Sequence, residues 1–436
     1  MSPEAHSALT RLRAIPWESL EGLAAELPIA RALQGTPAEQ VIDRRLRAQR
    51  DLRSDQRTAL VEAIFGVALW RRRLAAQLGL GSWEGAPPGL LLFGLLRDLA
   101  GLPHANAARL AGTDGPPALP VPALLADRWS FPDWIAQVIA RGREPRDADA
   151  LAASLCAPGP ICLRANLLKT SREALAARLA AEGVETRPCT LASAGLRVTS
   201  ARPNLFGLPA WREGLFEPQD EGSQLLGELL EAQPGETVLD LCAGAGGKSL
   251  QLAAALQNRG RLFVADPDPA RLARLGKRAA RAGASCIALS DTPMPGGLRA
   301  GLCADRVLVD APCSELGTLR RGPDARWRAL PSNAAAPSNA AAPSNAAAPS
   351  NAAALPLLQR SILETALAQV RPGGRLVYAT CTLRHEENRE VALAFEESHP
   401  ALRRLPPLLL PSSDGFFECF PHRHDTDGFF AAVWQC

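Results

Sequence analysis

From Glu236 to the C-terminus, short apolar runs rich in β-branched residues alternate with stretches whose apolar side chains recur every three to four residues. No other feature restricts the fold as tightly. The order is TVLDL, a glycine-rich loop and SLQLAAAL, then FVAD, PARLARLGKRAARAG, CIALSD, DRVLVDAPC, LPLLQRSILETALAQV, GGRLVYATCT, HEENREVALAFEESH, and finally DGFFECF with DGFFAAVWQ. Strands joined through helical crossovers run parallel. The stretch therefore predicts a C-terminal α/β, Rossmann-like domain with a mostly parallel sheet and a closing hairpin. In open sheets of this kind ligands bind past the carboxyl ends of the strands.

The chain has 436 residues, too many for one ordinary domain. Residues 1–135 carry apolar residues at helical spacing between Pro/Gly-rich breaks and predict an all-α domain. Residues 136–225 predict a small α+β, RRM-like subdomain. There ICLRANLLK and GLRVTSA read as strands, and SREALAARLAAEG reads as a helix capped by Ser171 and stopped by Gly183. Residues 226–436 hold the alternating pattern, interrupted at 331–354 by four copies of PSNAAA. A proline every sixth residue forbids a continuous helix, and no large apolar side chain is present to build a core. A flexible, functionally silent surface insertion is expected.

No run approaches 18 apolar residues, so a membrane span is not expected, and the N-terminus lacks the apolar core of a secretory signal. The ten cysteines are scattered among apolar neighbours and read as reduced thiols of a cytoplasmic protein. Net charge is only +3, so a nucleic-acid surface would have to be a local patch. The densest basic region comprises Arg44, Arg45, Arg47, Arg50, Arg53 and Arg57, together with Arg71 to Arg73. It reads either as a solvated helix face balanced by Asp43, Asp51, Asp55 and Glu62, or as a surface for RNA phosphates. Cys419, His422 and His424 match no common zinc spacing, so no metal is expected. A monomer is expected.

Three stretches carry chemistry. In VLDLCAGAGGK, Gly244, Gly246 and Gly247 let the backbone approach a ligand, ahead of a helix that presents its amide hydrogens. The loop opens on a carboxylate, Asp240, and two further strand-end acids follow, Asp266 and Asp291. This resembles the loop of S-adenosylmethionine-dependent methyltransferases, with Asp266 placed for the ribose hydroxyls and Asp291 for the adenine amino group. In DRVLVDAPC the strand stops at Asp310, because Pro312 has no amide hydrogen for the ladder, and Cys313 follows. GGRLVYATCT is a second strand, and it ends before Cys381. Two thiols at two strand ends form a nucleophilic constellation, since a thiolate adds readily to an electron-poor carbon. The arginines Arg320, Arg321 and Arg326 follow the first thiol and suit an anionic substrate.

LRAN, FEPQDEGSQ, DLCAGAGGK, DAPCSELGTLRRGPDARW, YATCT with the downstream EEN, and the terminal DGFFAA occur in the order in which they occur in one family. On these motifs the chain resembles, over nearly its whole length, the Sun/Fmu family of RNA cytosine-C5 methyltransferases. The resemblance implies an enzyme that transfers a methyl group from S-adenosylmethionine to C5 of a cytosine in ribosomal RNA of the small subunit. It implies that Cys381 attacks C6 of the base and Cys313 helps release the product, with Asp310 at the N3/N4 edge. It implies that Cys242, Ala243, Gly244, Ala245, Gly246, Gly247, Lys248, Asp266, Asp291 and Asp310 line the cofactor site. RNA contacts would come from Arg320, Arg321 and Arg326, and residues 1–135 would be a NusB-like RNA-binding domain. The chain departs from the family at Ala243–Gly247, where the family has Ala-Pro-Gly-Gly, and at Glu315 and Leu316, where Gly and Thr often stand. Transfer RNA remains open as the substrate. A non-catalytic assembly factor would need neither thiol, and hydride transfer to a nicotinamide would give the two thiol loops no role.

Overall fold

The computed structural model describes residues 9–201, 203–289, 303–327 and 354–436. Asp291 and all of the PSNAAA insertion except Ala354 lie outside the described residues. The chain falls into two compact units. One is Met1–Pro158 with Leu319–Ala329, and the other is Gly159–Thr318 with Leu330–Cys436.

The first unit is helical, and its helices continue past residue 135 through Pro145–Cys156. Its longest helix, Ser54–Gln77, is buried along most of its length, from Ala59 through Trp70 to Gln77. This burial corrects part of the basic surface expected from the sequence. Arg71 and Arg73 are 3% and 5% exposed. The Arg71 guanidinium lies 4.6 Å from the ring of Trp83 and 4.8 Å from that of Trp327, a cation–π sandwich that substitutes for water. Arg72 pairs with Asp127 at 2.6 Å and with Asp133 at 2.7 Å.

In the second unit a four-stranded antiparallel sheet comprises β1 (Cys162–Ala165), β2 (Thr186–Pro188), β3 (Gly195–Val198) and β4 (Phe216–Pro218), in the order β2-β3-β1-β4. A helix, Arg172–Ala181, crosses between β1 and β2, and the Ser171 hydroxyl caps it by accepting from the Ala174 amide at 3.1 Å. The larger sheet comprises β5 (Thr237–Asp240), β6 (Arg261–Val264), β7 (Ile287–Leu289), β8 (Ala304–Asp310), β9 (Val370–Thr380), β10 (Arg403–Arg404), β11 (Phe417–Cys419) and β12 (Phe429–Gln435). Its order is β10-β12-β9-β8-β5-β6-β7, with β11 paired to β12. The strands from β7 to β9 in that order run parallel, and β12 joins β9 antiparallel. This is the mostly parallel, Rossmann-like sheet expected from the sequence.

Strand alternation divides the core between the two faces. Leu239, Val307, Val309, Leu376 and Tyr378 join one apolar layer, while Val238, Leu262, Val264, Leu308 and Val377 join the other. Both faces are covered, so these strands read in the sequence as unbroken apolar runs. Chain order reverses between β5 and β8, and there the loops diverge and leave a crevice at the strand ends.

Candidate active site

β5 ends on Asp240, and its parallel neighbour β8 ends on Asp310. Between them a cavity of about 210 Å³ is lined by Asp240, Cys242–Ala245, Gly247, Lys248 and Asp310, joined by Gln219 and Ser223. The loop that forms it requires glycine at 246. There φ is +86°, and a Cβ would stand 2.0 Å from the Leu275 side chain. Asp266 is bonded to the backbone of the loop. It is 3% exposed, and its carboxylate accepts from the Gly244 amide at 2.8 Å and the Asp268 amide at 2.9 Å.

Asp240 is 1% exposed and accepts from the Ser249 hydroxyl at 2.7 Å through one oxygen. Its other oxygen has no hydrogen-bond partner. Burial pushes its carboxyl up to about 7, with Ser249 and Lys248 opposing and Asp310 reinforcing. A buried carboxylate oxygen left unsatisfied beside an open cavity suits a cationic ligand group. The amino-acid end of S-adenosylmethionine supplies one, so the residues present fit that cofactor.

Lys248 and Asp310 form an ion pair at 2.7 Å. Because Ala379 of β9 stands opposite Asp310 in parallel register, the residues that follow each strand are brought together. Cys313 and Cys381 end with their sulfurs 3.4 Å apart. The hydrogen bond shared with Cys313 and burial hold the Cys381 thiol well above its ordinary range. The carboxylates of Glu315 and Asp310 push in the same direction. The backbone locks this arrangement, since the Gly317 amide donates to the Cys381 carbonyl at 2.9 Å and the Gly428 amide donates to the Gly317 carbonyl at 2.9 Å. A Cβ at 317 would lie 2.0 Å from the Gly428 carbonyl oxygen.

The three arginines expected to contact RNA do not act alike, and the expectation for Arg326 is corrected. Arg326 is 1% exposed, and its guanidinium donates to the carbonyls of Trp129, Ser130 and Leu155 and to the Cys156 sulfur, over the ring of Phe131. Arg320 is 6% exposed, while Arg321 is open to solvent. Several residues were missed by the sequence reading. Gln219 and Ser223 line the cavity, and Arg164 donates to the Gly247 carbonyl at 2.7 Å. The motifs FEPQDEGSQ and LRAN contain them, so the signal was present without an assigned role.

A family model described as 16S rRNA methyltransferase RsmB/F matches residues 228–340 and 344–435. A second, described as the ferredoxin-like domain of RsmF/B-like methyltransferases, matches residues 131–204. Among curated proteins, the probable ribosomal RNA small subunit methyltransferase B of Synechocystis sp. is 33% identical over 71% of this chain and 67% of its own length. The protein of the same description from Bacillus subtilis is 32% identical over 70% and 66%. Among solved structures, PH0851 superposes with a TM-score of 0.75 at 23% identity, covering 97% of this chain and 99% of its own. A methyltransferase homolog protein from Pyrococcus horikoshii superposes at 0.57 with 26% identity, covering 71% and 97%.

Proposed function

The chain belongs to the RsmB/F family of 16S rRNA methyltransferases, enzymes that depend on S-adenosylmethionine, and on that premise we propose that it methylates C5 of a cytosine through a covalent adduct with Cys381. When bound, the cofactor supplies an electrophilic methyl group. Asp240, Gln219, Ser223 and the backbone of Cys242–Lys248 are the residues that would hold it.

C5 of cytosine is a poor nucleophile. Addition of the Cys381 sulfur to C6 makes the C4–C5–C6 system an enamine, and its C5 then takes the methyl group. Asp310, fixed by Lys248 at 2.7 Å, faces the N3/N4 edge and stabilises the charge that develops there. Afterwards the C5 proton must leave and the C6–sulfur bond must break. Cys313, as its thiolate, is the group at hand to take that proton and become a thiol, since its sulfur lies 3.4 Å from the atom to be expelled. The base has to leave its stack to reach Cys381. The observation that carries the reading is this thiol pair, close enough to Asp310 and Lys248 of the cavity wall for Cys381 to feel their charges, because neither scaffolding nor hydride transfer calls for it.

The test is methyl transfer from labelled S-adenosylmethionine to purified small-subunit ribosomal RNA, with bisulfite mapping of the product. Label at a single cytosine, lost in Cys381→Ala, is expected. Label on transfer RNA alone would reassign the substrate, and a product that bisulfite converts normally would rule out C5.

A further inference from the structure

Outside the residues that would touch cytosine or cofactor, a fully buried carboxylate, Glu387, is bonded to the loop that carries Cys313. We infer that Glu387, acting with Gln359, is a positioning residue that holds Cys313 in place for product release, whereas its neighbour Asn388 holds Cys381. The inference rests on the roles proposed above for the two thiols.

The loop Ala311–Ser314 leaves β8 carrying Cys313, and both peptide groups flanking that cysteine are anchored to one pair of side chains. On one side the Pro312 carbonyl accepts from the Gln359 amide at 2.9 Å. On the other, the Ser314 amide donates to a Glu387 carboxylate oxygen at 2.9 Å. Gln359 also donates to that same oxygen at 3.1 Å, which closes the triangle. The other Glu387 oxygen accepts from Arg384 at 3.2 Å, and the Tyr378 hydroxyl donates to the Glu387 carbonyl.

Cys381 has its own anchors. The Asn388 side-chain amide donates to the Thr382 carbonyl at 3.0 Å, and its oxygen accepts from the Thr380 hydroxyl. The two systems meet where the Ser314 and Thr382 hydroxyls lie 2.7 Å apart, at the two sulfurs, and through Arg384, whose amide donates to the Thr382 hydroxyl at 3.3 Å. Adjacent residues on one short segment thus divide the two cysteines between them.

Chemistry explains why an acid stands at 387. The three groups directed at its carboxylate, the Ser314 amide, the Gln359 amide and the Arg384 guanidinium, are all donors. A carboxylate accepts from all of them, whereas a carboxamide of the same size must turn its own NH₂ toward at least one. Glu387→Gln therefore keeps the volume but sets its NH₂ against a donor and removes the charge that strengthens the bonds from the Ser314 and Gln359 amides, which loosens the Cys313 loop. Gln359→Met removes the tie to Pro312 without touching the carboxylate.

The readout is the covalent complex between protein and radiolabelled small-subunit ribosomal RNA on a denaturing gel, measured beside multiple turnover and the melting temperature. If Glu387 positions Cys313, Glu387→Gln and Gln359→Met both accumulate adduct as Cys313→Ala does. Methyl transfer within the first turnover is retained, while steady-state turnover falls about tenfold or more. Asn388→Ala is expected to lose adduct and turnover together. Loss of turnover in the Glu387 and Gln359 variants without adduct overturns the inference, because a general structural defect would impair Cys381 equally. Absence of adduct in Cys313→Ala overturns the assignment of the thiols themselves, and with it this extension. Should Glu387→Gln fail to fold, Gln359→Met decides alone.

Discussion

Asp240 has two consequences that can be read separately. Its carboxyl, raised to about 7, faces Lys248 and Asp310 and is bonded to Ser249. A cation entering the cavity favours the charged form, so cofactor binding expels a proton below pH 7 and weakens as pH falls through that value. Titration calorimetry at pH 6 in two buffers of different ionisation enthalpy is expected to show proton release, and Asp240→Asn is expected to abolish it. For stability without ligand the sign reverses. The folded state holds this proton more tightly than the unfolded chain, whose aspartate titrates near 4, so the contribution favours folding at low pH and is lost as pH rises from about 4 through 7. Above pH 7, Asp240→Asn should raise the melting temperature of the ligand-free protein. Cys381 gives a second residue-scale test. Removing its sulfur neighbour in Cys313→Ala is expected to lower the Cys381 pKa and speed its alkylation by iodoacetamide at pH 7.5 roughly several-fold. An unchanged rate would mean that Cys313 does not hold the thiol protonated.

Among the elements, the glycine loop depends on the small antiparallel sheet. Arg164 on β1 donates to the Gly247 carbonyl, and Arg278 donates to the Ala245 carbonyl while pairing with Glu217 on β4. Arg164→Ala removes one charged hydrogen bond to a loop carbonyl, and such a bond contributes about 1.5–3 kcal/mol. The KM for S-adenosylmethionine is therefore expected to rise about tenfold or more with little change in the KM for RNA, as steady-state kinetics with each substrate varied would show. This is also the scale at which the sequence was most legible. Short apolar runs between stretches of period 3.6 locate every strand of the parallel sheet that lies among the described residues, and the break at Pro312 fixes the end of β8 at Asp310. What escaped was pairing between side chains distant in sequence. Arg71 and Arg326 read as surface cations because nothing nearby announces that Trp83, Trp327, Phe131 and four backbone or sulfur acceptors enclose them. Glu387 and Arg164 stood inside visible motifs, yet the groups they bond to, Ser314, Gln359 and the Gly247 carbonyl among them, come from elements distant in sequence that spacing does not reveal.

For the molecule as a whole, the helical unit is not a contiguous stretch of chain. Leu319–Ala329 belongs to it, although this segment begins six residues after Cys313. Within that unit Arg326 bonds to Trp129, Ser130, Leu155 and Cys156, and Trp327 packs edge-on to Trp83, ring centroids 5.7 Å apart. A chain cut to residues 159–436 keeps this segment but loses these partners of Arg326 and Trp327. It is expected to be cleaved at 319–329 by trypsin under conditions in which the full chain resists, which limited proteolysis with mass mapping would reveal. An equally protected segment would show that it folds independently of residues 1–158.

The interleaving also bears on how such a gene can recombine. A single crossover near codon 158 would join one lineage's helices to another lineage's Leu319–Ala329, setting a foreign arginine and tryptophan into pockets shaped for different side chains. Chimeras that exchange both stretches together should express and fold where single-junction chimeras do not. The two pieces are therefore expected to descend as one heritable unit, despite the 160 codons between them.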